Sequence, residues 1–190
     1  MILAMERIKA IRAVVPLALV SLLFAGCDQT VKRTLPASVR TIAVAEFANQ
    51  TAEPLLSSVL LEELRMAFRM DGRVGIKDGK EGADGFLDGA VVEYTKQPAR
   101  FDSNNVVQEY RLRVVVDLSL TDLKSNQVLW QEKGPASTAT RGGTTRKLER
   151  YASFVVVPAN GLPVETEQDA QRRMLRDLAS DIAAKVIEGW

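Results

Sequence analysis

The sequence of 190 residues contains no histidine and a single cysteine, Cys27. Without histidine, the chain lacks the side chain that most often acts as a general base or as a metal ligand. Neither a Ser-His-Asp nor a Cys-His catalytic set can form, and carboxylates alone suit zinc and copper poorly. The remaining candidate acids for catalysis are scattered along the chain: Glu93, Asp102, Glu109 and Asp117. We therefore predict a protein that is not an enzyme and that uses no metal or other cofactor.

Strong charge and long apolar runs are also missing. The formal net charge is only +1, and a near-neutral chain lacks the basic excess of a general nucleic-acid binder. Nucleic acid is therefore not an expected partner. The apolar run at 13–24 is shorter than the ~18 residues that a transmembrane helix needs.

A short export signal stands at the N-terminus instead. Basic residues within 7–12 precede the apolar run at 13–24, and small residues precede Cys27, which is the arrangement of a secretory signal peptide. The pentapeptide LFAGC at 23–27 resembles a bacterial lipobox, in which the cysteine sulfur receives diacylglycerol and the chain is cut before it. The alternative is an ordinary cysteine beside the cleavage site of a soluble secreted protein.

These features predict three parts: a signal peptide at 1–26, a lipidated tether at 27–38 and a single domain at 39–190. Cleavage would leave 164 residues, enough for one domain with a hydrophobic core, with a formal charge of −1. Each buried methylene of an acyl chain contributes roughly 0.8 kcal/mol, so several acyl chains would anchor the domain durably to a membrane.

Periodicity in the domain predicts two helices and several strands. The strand at 107–122 is the clearest, because apolar residues alternate with largely polar ones, as expected for one buried and one wet face. The predicted strands are 40–47, 73–76, 86–95, 107–122 and 128–133, and the predicted helices are 54–70 and 167–188. Residues 137–164 are less regular, and 155–157 fit either a strand or a buried loop. Together these elements predict a two-layer α+β domain with an antiparallel meander.

Basic side chains are numerous on the predicted meander. Arg111 and Arg113 lie on the same face of their strand by alternation. A guanidinium pairs bidentately with planar anions, so this face could bind a phosphate or a carboxylate. The alternative is a solvated face balanced by Asp117 and nearby glutamates. The basic residues concerned are Lys96, Arg100, Arg111, Arg113, Lys124 and Lys133.

Seven segments, in order and spacing, resemble the lipopolysaccharide-assembly lipoprotein family LptE over nearly all of the mature chain. They are RTIAV at 40–44, FANQTAEP at 47–54, DGR at 71–73, LDGAV at 87–91, QEYRL at 108–112, VLW at 128–130 and the terminal helix after 165–167. The resemblance implies a roll with two helices on a mostly antiparallel mixed β-sheet. It also implies an outer-membrane lipoprotein on the periplasmic side, which plugs the β-barrel translocon LptD and helps to place lipopolysaccharide in the outer leaflet. Family members are similar in binding lipopolysaccharide, which makes Arg111 and Arg113 candidates for contacts with its phosphates.

A second resemblance gives the alternative function. The opening strand, NQT at 49–51 and the following helix are also similar to periplasmic lipoproteins that activate penicillin-binding proteins and to curli-secretion proteins. Such a protein would be an allosteric activator or a pore subunit rather than a barrel plug. The segment at 108–112 together with Trp130 favours LptE. Asp28-Gln29 resembles an inner-membrane retention signal of enteric bacteria, but that rule varies between bacterial groups, and we predict the outer membrane.

Overall fold

The described part of the chain contains seven strands and two helices. The structure is a computed structural model that describes residues 35–36, 38–132, 148–156 and 165–188. These belong to the unit Arg33–Trp190, whereas the predicted signal peptide and Cys27 lie outside the described residues. The elements are β1 (Thr41–Val44), β2 (Ala48–Asn49), α1 (Leu56–Asp71), β3 (Gly75–Lys77), β4 (Gly85–Phe101), β5 (Val107–Asp122), β6 (Gln127–Glu132), β7 (Leu148–Val155) and α2 (Glu167–Glu188).

All the described strands form one mixed sheet. Its order is β3-β1-β4-β5-β6, while β2 also pairs with β4 and β7 with β5. The short strands β1, β2 and β3 pair in parallel, and the long β4, β5, β6 and β7 pair antiparallel. One edge of β5 holds two partners, because β6 pairs with its C-terminal part and β7 with its N-terminal part. The predicted fold class, two helices on a mostly antiparallel mixed β-sheet, is confirmed.

Helix α1 begins at Leu56, two residues later than the sequence predicts from Pro54. Its N-cap residue, Leu55, forms no capping hydrogen bond through its side chain. The helix ends at the predicted Gly72, whose φ of 71° is the left-handed conformation that glycine adopts without strain. The Gly72 N–H donates to the carbonyl oxygen of Phe68 at 3.1 Å. Its apolar stripe is buried: Leu56, Leu60, Leu64 and Phe68.

Helix α2 has the bounds that the sequence predicts. The Thr166 hydroxyl accepts the Asp169 N–H at 3.1 Å and donates to the Asp169 carboxylate at 2.6 Å, which caps the helix. The same contacts lower the pKa of Asp169. The predicted stripe is fully or almost fully buried: Ala170, Met174, Leu178, Ile182 and Val186. It packs with α1 on one face of the sheet, where alternate β5 residues are also buried: Leu112, Val114, Val116, Leu118 and Leu120.

Two strands differ from the sequence prediction. Strand β4 continues to Phe101 rather than ending at 95, and its last turns contain bulges near Pro98 and Arg100 that disturb the alternation. Strand β7 lies within the segment that the sequence gave as irregular, and it resolves Val155 as a strand residue. Its inward positions are not all apolar, because Arg150 faces the helices and pairs with Asp181 of α2. A charged residue at an inward position hides the period-two pattern.

Candidate ligand-binding face

The face of the sheet turned away from the helices carries most of its polar side chains. Since Leu112 and Val114 of β5 point into the core, Arg111 and Arg113 point to the other side. The register places two neighbours beside each of them. We name this side the open face, and its central residues are Glu93, Thr95 and Gln97 on β4, Arg111, Arg113 and Val115 on β5, and Glu149, Tyr151, Ser153 and Val155 on β7.

Arg113 is held by two carboxylates. Its guanidinium donates to Glu93 and, at 3.0 Å and 2.8 Å, to one carboxylate oxygen of Glu149. The hydrogen bond from Glu149 is the main reason that the pKa of Arg113 is raised. The guanidinium also lies 6.0 Å from the centre of the Tyr151 ring. These three contacts fix Arg113 over Val115, which is fully buried although it lies on the open face.

Arg111 is in a different state. Its side chain is exposed and forms no ion pair with any residue that the structure describes. Its register neighbours are Gln97 on β4 and Ser153 on β7, which are neutral and able to form hydrogen bonds. The sequence placed both arginines on one face, and the register does bring them together. Arg111 supplies an open guanidinium for an anion, whereas Arg113 supplies a fixed neighbour.

The other predicted basic residues are occupied or lie elsewhere. Lys96 pairs with Glu167 at the start of α2, and its ammonium lies 4.6 Å from the centre of the Tyr110 ring. Lys124 pairs with Asp84 at 2.6 Å. Lys133 lies outside the described residues.

The scattered acids have structural contacts. Glu93 pairs with Arg113, and Glu109 lies 3.6 Å from Arg100. The carboxylate of Asp102 accepts the N–H groups of Asn104 and Val106, both at 2.8 Å, and so shapes the turn between β4 and β5. Asp117 is half-buried on β5. Within the described ranges, no group of three or more metal-ligating side chains could hold an ion.

The hairpin of β4 and β5 extends past the start of α2 and exposes apolar side chains. Phe101 and Val106, on either side of its turn, are 50% and 53% exposed. Tyr151 and Val155 on β7 are 52% and 36% exposed. The sequence analysis did not identify these four residues, because two of them lie on an unpredicted strand and Phe101 lies beyond the predicted end of β4.

The opposite end of the domain is where the described chain begins. Leu35 is buried, and it shares a small cavity with Val39, Arg73 and Ile187. Arg73 pairs with Glu188 at 2.7 Å, close to the end of α2. The 22 residues of α2 span about 33 Å, so this end is well separated from the hairpin. Neither described helix has the length and apolarity of a membrane span.

The arrangement defines a two-layer α+β domain with helices on one side of the sheet and a polar, partly cationic face on the other. The chain belongs to the lipopolysaccharide-assembly family LptE, whose model matches residues 39–186. The resemblance found in the sequence is thereby confirmed. LptE is a family of lipoproteins without enzymatic activity, and membership gives the chain a role in lipopolysaccharide assembly in the Gram-negative envelope.

Several solved structures are similar to this chain at low identity. Lipoprotein B from Nitrosomonas europaea is 14% identical, with 80% of this chain and 83% of that chain covered and a TM-score of 0.47. A minor lipoprotein from Acinetobacter baumannii is 18% identical, with 78% and 92% covered and a TM-score of 0.45. A PelC dodecamer from Paraburkholderia phytofirmans is 17% identical, with 79% and 87% covered and a TM-score of 0.42. These likenesses assign neither ligand nor partner to the chain, and the sequence matches none of the curated proteins compared with it.

Proposed function

We propose that this protein is an outer-membrane lipoprotein that binds and plugs the β-barrel translocon LptD and assists the placement of lipopolysaccharide in the outer leaflet. The observation that carries the proposal is the match to the LptE family, which spans both helices and every described strand. The protein contributes binding rather than catalysis.

The membrane attachment in this proposal is Cys27, with its sulfur alkylated and its amino group acylated after cleavage. The lipid holds the protein at the periplasmic face of the outer membrane. Eight residues separate Cys27 from Leu35, so the buried start of the domain lies at most about 28 Å from the lipidated residue. Because Leu35 and Ile187 lie at the same end, the hairpin of β4 and β5 is the end remote from the anchor.

The partner in this proposal is the lumen of a barrel. Barrel interiors are polar, so a plug should present charged and polar side chains as well as apolar ones. The open face with Arg111 and Gln97 has that character. Loops supply further contacts, because binding residues concentrate on loops held by a rigid scaffold.

The ligand in this proposal is lipopolysaccharide, with its phosphates at Arg111 and Arg113. Arg111 has no competing carboxylate within the described part of the chain, so it makes the primary contact. Arg113 is already shared between Glu93 and Glu149 and adds positive potential beside the phosphate.

Purification from detergent-solubilised membranes tests the partner. A tagged full-length chain should co-purify with one large β-barrel protein in stoichiometric amount. Cys27→Ala tests whether the interaction is independent of the lipid, because the interface belongs to the domain. Failure to recover a barrel with the wild-type protein would contradict the plug, and recovery of a penicillin-binding protein or a pore assembly would favour the activator or pore-subunit function instead.

Replacement of Arg111 and Arg113 by alanine tests the ligand site. We expect weaker binding of lipopolysaccharide and a smaller dependence on salt, since attraction between exposed charges is screened by ions. The control is Arg69→Ala, which removes an exposed arginine from α1 on the opposite layer. Unchanged binding of the double variant at low salt would contradict the arginine assignment while leaving the barrel partner untouched.

A further inference from the structure

Exposed apolar side chains concentrate around Arg111. Eight large hydrophobic side chains are exposed in the described ranges, and half of them belong to the β4–β5 hairpin or to β7. The other four lie on or beside α1 and on β6. The group near Arg111 is Phe101, Val106, Tyr151 and Val155. A cation bordered by apolar surface is an unusual combination on a sheet face that is otherwise polar.

The strand register gives the order of these groups along β5. Tyr151 lies opposite Arg113, Ser153 opposite Arg111 and Val155 opposite Glu109. Successive rows on one sheet face are about 7 Å apart, because a strand rises about 3.3 Å per residue. The cation of Arg111 therefore lies one row from Tyr151 on one side and one row from Val155 on the other.

The apolar surface continues only in one direction. Beyond Val155 the hairpin ends at Phe101 and Val106, which are about half exposed. In the other direction Tyr151 borders Arg113, Glu93 and Glu149, a charged and hydrogen-bonded group. The open face thus changes from charged, through the Arg111 cation, to apolar at the hairpin end.

That order matches the chemistry of one class of ligand. An anionic glycolipid has sugars, phosphates next to them and acyl chains that must leave water. Charge complementarity places a phosphate at Arg111, which can donate two parallel hydrogen bonds to its oxygens. Apolar surface at the hairpin end then favours the acyl chains, at a gain of about 25 cal/mol per Å² removed from water.

We propose that the open face binds an anionic glycolipid in one fixed direction, with its phosphate at Arg111 and its acyl chains over Val155, Phe101 and the hairpin end. This proposal rests on the proposed function for the identity of the glycolipid as lipopolysaccharide, and it adds the direction in which that molecule lies. The acyl chains point away from the end where Leu35 enters the domain.

Two probes that differ only in acylation test the direction. One is purified lipopolysaccharide in a fixed non-ionic detergent, and the other is the phosphorylated saccharide obtained by removing all its acyl chains. Phe101→Ser combined with Val155→Ser should weaken binding of the acylated probe about tenfold or more and leave the saccharide unaffected, because only the acyl contacts are lost. Arg111→Ala should weaken both.

Val128→Ser is the matched control, because Val128 is an equally exposed strand valine, 57% exposed, on β6 away from the hairpin. It should change neither affinity, and thermal unfolding should show that each variant folds. Wild-type binding with no loss of the acylated probe in the Phe101 and Val155 variant, or with equal loss of both probes, overturns the direction alone. A wild-type protein that binds neither probe overturns lipopolysaccharide binding itself, and the direction with it.

Discussion

Replacement of Leu178 by alanine tests the packing of α2 on the sheet. Leu178 is fully buried at the centre of the stripe that includes Met174 and Ile182. The change removes three carbon atoms, and at roughly 0.8 kcal/mol per buried methylene the loss of transfer free energy is about 2.4 kcal/mol. A cavity that does not collapse adds to this, so we expect the free energy of unfolding to fall by about 2–5 kcal/mol.

Thermal unfolding of the domain measures the effect. A loss of about 3 kcal/mol should lower Tm by about 6–12 °C, since about 1 kcal/mol corresponds to about 2–4 °C in a domain of this size. The control is Asp177→Ala one position earlier, whose side chain is exposed and whose loss should cost little. Equal Tm values for the two variants would show that the helix does not pack in the register described above.

Three further predictions concern the anchor and the sheet. Cys27→Ala should abolish metabolic labelling with a fatty acid, because the thioether requires the sulfur, and equal labelling of the variant would refute lipidation. The Asp84 carboxylate accepts hydrogen bonds from Lys124 and from backbone N–H groups of β1, which lower its pKa, so its stabilisation is present above the unfolded pKa of about 4 and is lost as the pH falls through the folded pKa. Denaturant titrations should therefore find Asp84→Asn less stable than the wild type at pH 7 and progressively closer to it below about pH 4, and a difference that is constant with pH would contradict this. Gly89→Ala should destabilise the domain by about 1–3 kcal/mol in the same assay, because an added Cβ would lie 2.2 Å from the carbonyl oxygen of Asp117, and a neutral effect would contradict the close approach of β4 and β5.

The sequence predicted the elements whose patterns are uniform. Strand β5 and helix α2 have the predicted bounds because their apolar residues repeat at the strand and helix periods without interruption. The stop of α1 at Gly72 was predictable for the same local reason. The elements that were missed break their own pattern, such as β7, where Arg150 occupies an inward position and is neutralised by Asp181 across the layer.

The candidate site was predictable only in part. Alternation placed Arg111 and Arg113 on one face, but it could not show that Arg113 is held by Glu93 and Glu149, which lie 20 and 36 residues away in sequence. Those contacts depend on the register of three strands, which is a tertiary property. The apolar border was hidden for the same reason, since Val155 becomes a neighbour of this face only when β7 pairs with β5.

Delivery of lipopolysaccharide to the cell surface tests the central claim most directly. Cells in which this protein is depleted should be pulsed to label newly made lipopolysaccharide, and the labelled molecules exposed on the surface should be counted against those retained inside. Participation in barrel-mediated assembly predicts a large fall in the exposed fraction, restored by the wild-type protein and only partly by the Arg111→Ala variant. An exposed fraction that does not change on depletion would contradict a role in lipopolysaccharide assembly.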